Sequence, residues 1–315
     1  MRDFRRRDEA QRTIARCSQA ESAQNPLVRL SNVAMARASD GRPLDIEALT
    51  EYLAQRAGHM GGRDPAFDKK GYRLPELRTE IWQGWIYVTL NKDAPSVASL
   101  LQPLLPVVAP YAMEHYIPVV HQDHVWATNW KLLDENFMEG YHLPVAHRAT
   151  VGAWFPVEDT EFPAETFDAF TYQTFTKDEN ARYGRAHASN TRLEGKWRYT
   201  SILPTIYPTH MYVLAPDHLW YLSLRPKGAG EVHVRFGVAL APEVHAALGD
   251  AREAWVAELV DFFNRVNAED KFVVEGIYKG SRAPLASRGP LSWLEREIHD
   301  FARYLDSRLN KDDAL

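Results

Sequence analysis

One cysteine, Cys17, stands in 315 residues. A single cysteine excludes an internal disulfide and points to a reducing compartment, so the expected location is the cytoplasm. No apolar run approaches the ~20 residues needed to cross a bilayer, and the N-terminus lacks the apolar stretch of a secretory signal. Charge of one sign is also scarce. Lys and Arg number 37 against 42 Asp and Glu, a net charge of −5 that offers no basic footprint for nucleic acid. What remains is ordinary for a soluble globular protein, 45% hydrophobic and 25% charged. The length suffices for one large or two ordinary domains.

The chemistry concentrates in residues 129–150, NWKLLDENFMEGYHLPVAHRAT. Glu135, Glu139 and His142 fall at i, i+4 and i+7, which predicts one stripe of a helix. His147 lies five further on, roughly 140° around an ideal helix from His142. Pro144 disfavours helical geometry at Leu143 and predicts a break that lets His147 curl back beside His142. Two neutral imidazoles and a carboxylate from elsewhere make a facial triad suited to mononuclear Fe(II) with open positions. The residues alone leave a blander reading open, since helix-end histidines are commonly satisfied polar groups. A zinc hydrolase is disfavoured, because the pair lacks the base geometry of HExxH.

Elsewhere the pattern is α+β. Segments 117–128, 167–175, 201–216, 218–226 and 231–241 are rich in aromatic and β-branched residues, and their short links predict an antiparallel sheet. His121 and His124 would point to opposite faces of the first of these. His187, His210, His218 and His233 lack matched partners and read as structural. Residues 97–116 predict short helical pieces broken by Pro103, Pro106 and Pro110. DIEALTEYLAQRAG (45–58) reads as a short helix. The loop 177–195 is polar and charged. Residues 243–283 carry the strongest helical period. There Asp270 shares a face with Phe262, Val266, Val273, Val274 and Ile277. An ionised carboxylate on an apolar stripe is costly unless paired or metal-bound. Glu269 is the neighbouring alternative, turned toward Arg265 and Phe272.

The string ENFMEGYHLPVAH (135–147) resembles the iron-binding signature of the oxygenase α-subunits of Rieske-type ring-hydroxylating oxygenases, in the spelling of the choline- and carnitine-type branch. The resemblance covers about 59–315. It implies a helix-grip (START/SRPBCC-like) catalytic domain, an antiparallel sheet packed on long helices, over 96–315. It implies that His142 and His147 bind mononuclear Fe(II). NAEDKFVVEGIYKG resembles the segment supplying the third ligand, which assigns Asp270. Glu139 matches the acid that bridges toward a Rieske-cluster ligand of the neighbouring subunit, a position where the family often has Asp. Glu135 and Glu139 are expected to orient the imidazoles through their other nitrogens. Asn136 and Tyr141 are expected to line or support the pocket. In the family, segments like 177–195 flank the substrate channel.

Residues 59–95 resemble the end of the all-β Rieske domain, with Trp85–Leu90 as its returning strand. The paired CxH and CxxH hairpins of a [2Fe-2S] Rieske centre are missing, and 1–58 carries no family resemblance. A truncation or a shifted reading frame is the preferred explanation, ahead of a natural variant without the cluster. The implied partners are a small aromatic or quaternary-ammonium substrate, O2, a reductase or ferredoxin donor, and further copies in a trimer, with no nucleic acid and no membrane. The expectation is hydroxylation at the iron, with poor turnover by this chain alone. The alternative is a catalytically inactive helix-grip protein that binds a ligand or a related subunit.

Overall fold

The computed structural model describes residues 77–91, 93–179, 184–287 and 289–309. The helix expected over 45–58 and the first part of the Rieske-like segment lie outside them. The described chain opens with a hairpin, β1 (Arg78–Trp82) and β2 (Trp85–Thr89), turned at Gln83-Gly84 with both residues at positive φ. Two one-turn helices, α1 (Val97–Leu100) and α2 (Leu105–Val108), follow among the prolines, as the sequence predicts.

The rest is one antiparallel sheet of seven strands. β3 (Ile117–Trp126) enters first. After the helices α3 (Trp130–Phe137) and α4 (Leu143–Ala146) come β4 (Thr160–Glu161), β5 (Phe170–Thr176), β6 (Thr200–Ile206), β7 (His210–Leu214), β8 (His218–Gly228) and β9 (Glu231–Leu240). The order is β3-β9-β8-β7-β6-β5-β4, so only β3 joins out of sequence. The segment expected as one strand over 201–216 is two, β6 and β7, turned at Tyr207–Thr209.

Side chains alternate across a strand, so each one feeds two cores. On one face Tyr212, Leu214 and Tyr221 meet Trp85, Tyr87, Leu104 and Tyr111 of the hairpin and the short helices. On the other, Met211, Leu222, Leu224, Val234 and Phe236 meet Trp130 and Leu133 of α3. The same core takes Phe263 and Val274 from α6 (Arg252–Ser281), and Phe301 and Tyr304 from α7 (Arg296–Leu309). This second face is the helix grip. The helical run expected over 243–283 is interrupted. A short α5 (Pro242–Ala247) stops at Gly249, whose positive φ breaks the helix before α6. α6 then runs 30 residues, ~45 Å, along the sheet.

Candidate metal centre

The stretch expected as a single helix to Pro144 is two helices. Asn129 caps α3, its side-chain oxygen accepting from Lys131 N at 3.0 Å. α3 ends at Phe137, and the buried Met138 closes it onto Asp134 and Glu135 carbonyls. Pro144 does not end a helix but opens one, since its ring is tolerated in a first turn where its missing N–H has no acceptor to serve. His142 and His147 are the residues flanking that one-turn helix. The turn between them is what brings the two rings to 5.1 Å. Gly152 packs beneath it so closely that a Cβ there would lie 2.4 Å from Leu143 O and 2.8 Å from His147 O.

α6 crosses behind this turn. It is tied to the β3–α3 link by Thr128 Oγ1 donating to Val274 O (3.0 Å) and Ala127 N donating to Glu275 (2.9 Å). Stacking of Trp154 on Phe262, 4.9 Å between centroids, fixes the chain after α4 to the same helix. Asp270 thereby lies between the two histidines. Its Oδ1 stands 2.9 Å from His147 Nε2 and 3.6 Å from His142 Nε2. One ligand atom from each of the three residues falls within 4.8 Å of the others.

The other imidazole nitrogens are occupied. His142 Nδ1 lies 2.5 Å from Glu139 Oε1, and the second oxygen of Glu139 accepts from the His142 backbone N–H at 3.1 Å. His147 Nδ1 lies 2.7 Å from Glu269 Oε2, which also accepts from Thr150 Oγ1 at 2.5 Å. Each Nδ1–H donating to a carboxylate leaves its Nε2 lone pair aimed at the common centre. Asn136 Nδ2 donates to Asp270 Oδ1 at 2.9 Å. Burial opposes charge on His142, but its bonds to Asp270 and Glu139 outweigh that and raise its pKa to about 9. Burial likewise opposes charge on Asp270, yet its bonds to His142 and His147 hold the carboxyl well below the usual range. The cluster thus gathers negative charge around two nitrogen donors, the electrostatics a divalent cation requires. Two imidazole nitrogens and one carboxylate oxygen converging from one side fit a mononuclear Fe(II).

Of the residues singled out in the sequence, His142, His147, Asp270, Glu139 and Asn136 come together here. Tyr141 turns outward, half exposed, its hydroxyl toward Glu295 at 3.5 Å. Glu135 bonds to neither imidazole; burial raises its pKa, and the charges that act on it are those of Lys131 and Glu295. The carboxylate behind His147 is Glu269, which faces the site and not Arg265 and Phe272 as its place on the helix predicts. Thr150 was not anticipated at all.

A model of the ring hydroxylating alpha subunit (catalytic domain) family matches residues 112–311. The glycine betaine monooxygenase oxygenase subunit of Chromohalobacter salexigens is 30% identical over 110 residues, 35% of this chain and 24% of that protein. The subunit of the same description from Pseudomonas aeruginosa is 34% identical over 91 residues, 29% of this chain and 21% of that one. The matched stretch thus spans about a quarter of the length of these curated relatives. Among solved structures, a quaternary ammonium Rieske monooxygenase in complex with an inhibitor superposes with a TM-score of 0.62 at 15% identity, covering 78% of this chain and 65% of that one. Naphthalene 1,2-dioxygenase from Rhodococcus sp. does so with 0.59 at 16%, covering 78% and 69%. At these identities the structural likeness is one of fold.

Proposed function

The chain belongs to the ring hydroxylating alpha subunit (catalytic domain) family, and from that premise we propose that it is the oxygenase component of a Rieske-type non-haem iron oxygenase. His142, His147 and Asp270 would hold mononuclear Fe(II). Bound there, the ion supplies the dioxygen-activating redox chemistry of two-histidine, one-carboxylate sites. The reaction is hydroxylation of a small aromatic or quaternary-ammonium molecule, with electrons from an external reductase or ferredoxin. The observation that carries this reading is the convergence of two imidazole Nε2 atoms and Asp270 Oδ1, with both Nδ1 atoms tied back by carboxylates.

Each surrounding residue has a task in that chemistry. Glu139 and Glu269 keep the imidazoles in the Nδ1–H tautomer and fix their planes. Asn136 holds the Asp270 carboxylate in one rotamer. Phe137, at the end of α3, packs edge-on to Trp220, and Phe155 edge-on to Phe175; these rings are our candidates for the apolar wall that meets a substrate ring or trimethylammonium group. Glu139 is itself buried, two residues from the half-exposed Tyr141, and is our candidate for the route by which electrons arrive from a cluster-bearing neighbour.

The test is an anaerobic Fe(II) titration of the purified chain, followed by nitric oxide and EPR. One iron per chain with a high-spin ferrous-nitrosyl signal, lost in His142→Ala and in Asp270→Ala, is the expected result. A wild-type chain that takes up no iron overturns the proposal.

A further inference from the structure

Strand β5 carries a row of side chains along the catalytic face, because alternate residues of a strand share a face. Thr171 Oγ1 donates to Glu297 of α7 at 2.8 Å. Gln173 Nε2 donates to the Phe137 carbonyl at the end of α3 at 3.3 Å. Phe175 packs edge-on to Phe155, 5.1 Å between centroids, and its ring lies 3.7 Å from where a Cβ of Gly140 would be. The next member of the row is Lys177, held to the sheet just past the strand by its backbone N–H donating to Tyr199 O at 3.0 Å. Its Nζ lies over the Phe155 ring at 4.4 Å. A chain of ring contacts thus links this ammonium to the backbone two residues before His142.

Lys177 is only 8% exposed. Lysine is rarely buried unless paired, and its long stem normally carries the ammonium to water. Among the described residues Lys177 has neither a hydrogen bond from its ammonium nor a carboxylate at ion-pair distance; the acid that acts on it is the more distant Asp159. Burial brings its pKa down to about 8, with Asp159 opposing. His218, on the same face, supplies no counter-charge: burial and then Lys177 hold its pKa down at about 4. The ring of Phe155 offsets part of the desolvation. The loop backbone comes close above the ammonium at Gly184, which has φ +72 and where a Cβ would lie 2.6 Å from Nζ. Phe137, Phe155 and Trp220, packed beside this row, keep partial exposure.

We propose that Lys177 is the anion anchor of the substrate site: its ammonium receives a carboxylate of the substrate, whose other end lies along the Phe155–Phe137 wall toward the metal ligands. This rests on the oxygenase reading of the metal centre and adds to it that the substrate is an acid. A desolvated ammonium over a ring, without a partner among the described residues, gains hydrogen bonds and charge compensation when an acceptor arrives. A neutral alcohol or hydrocarbon of the same shape would leave it uncompensated, so discrimination comes from the unpaired state as much as from the paired one.

The experiment is calorimetric binding to the iron-loaded full chain, with two pairs of probes that differ in the carboxylate: glycine betaine against choline, and benzoate against benzyl alcohol. Wild type, Lys177→Met and Lys177→Arg are compared, with iron content and thermal melts measured for each. In at least one pair the acid is expected to bind roughly tenfold to a hundredfold tighter than the alcohol. Lys177→Met should erase that preference by weakening the acid alone, and Lys177→Arg should keep most of it. Absence of any acid preference in the wild type, or a preference that survives Lys177→Met in a folded, iron-bearing variant, overturns the proposal. Loss of the oxygenase reading would show differently, as a wild-type chain without iron.

Discussion

Each imidazole of the triad is held from behind by a carboxylate, and the two carboxylates are not equivalent. Glu139 belongs to the same local turn as its histidine and also accepts from the His142 backbone, so chain connectivity keeps it in place. Glu269 reaches His147 from another helix, and Thr150 is its second donor. Both donors meet the same oxygen, Oε2, so glutamine at 269 can still accept from them with its carbonyl oxygen but loses the negative charge that strengthens both bonds and the basicity of His147. Glu269→Gln is therefore expected to weaken metal affinity about 10- to 100-fold, read by Co(II) or Fe(II) titration. Thr150→Val should cost only about fivefold, the worth of one ordinary hydrogen bond. Unchanged affinity in Glu269→Gln would mean that the negative charge behind His147 does not contribute to metal binding. The ligands themselves were legible because the two histidines and Glu139 sit in one contiguous string, and Asp270 stands out as a charge on an apolar stripe. Glu269 was not, because adjacent helix residues point ~100° apart and so read as facing different neighbours. The two nitrogens of one imidazole lie on different edges of the ring, and His147 spans both carboxylates.

At the scale of elements, the site depends on how one short helix seats and how another docks. Periodicity merged α3 with the histidine stretch, since Glu135, Glu139 and His142 happen to keep helical spacing across a break at 138–142. The proline was legible as a discontinuity, but its sign was reversed, because proline serves equally as a stop and as a first-turn residue. The one-turn α4 leaves no room beneath it at Gly152. Gly152→Ala must push backbone carbonyls, not a flexible side chain, and should cost about 1–3 kcal/mol together with most of the metal affinity. A melt and an iron assay on the same sample check both; a variant with full iron content would show that the turn shifts without moving its histidines. α7 docks through Glu297, which is buried, accepts from Thr171 with one oxygen and leaves the other without a hydrogen-bond partner among the described residues. Burial raises its pKa well above the model-peptide 4.5, with Asp300 adding to the rise. An acid whose folded pKa is raised contributes fully below its unfolded pKa and loses that contribution as pH climbs toward the folded one. Glu297→Gln should therefore melt close to wild type near pH 4.5 and progressively above it toward pH 8–9. A difference in melting temperature that does not change with pH would show that the carboxyl stays ionised in the fold.

Among the described residues the seven-stranded sheet carries a core on each face, and the metal centre sits on only one of them. The helix-grip side was readable, because α6 and α7 carry apolar stripes and the strands alternate. The opposite side was less so. Strands β6 and β7 are buried on both faces, and a run such as MYVLAP announces two covering layers without saying what covers them. Residues Trp85–Leu90 are expected as a returning Rieske strand; the observed β2 contributes Trp85, fully buried and in ring contact with His210, Tyr212 and Tyr221 at 4.4, 5.6 and 5.1 Å. Trp85→Ala should cost about 3–5 kcal/mol through lost burial and the cavity left behind. Strands β7 and β8 contribute to both cores, so heat should unfold both in one transition. A ligand bound only by the folded state stabilises it by RT ln(1 + [L]/Kd), about 2.7 kcal/mol at a hundredfold excess over Kd. Anaerobic Fe(II) at that excess should then raise the stability of wild type and Trp85→Ala by the same increment, and of His142→Ala by none. Equal increments would mean that the back layer supplies stability without setting the geometry of the triad. A smaller increment in Trp85→Ala would mean that the hairpin reaches through the sheet to the metal ligands, whereas two separate transitions would mean that the two cores unfold independently despite the strands they share.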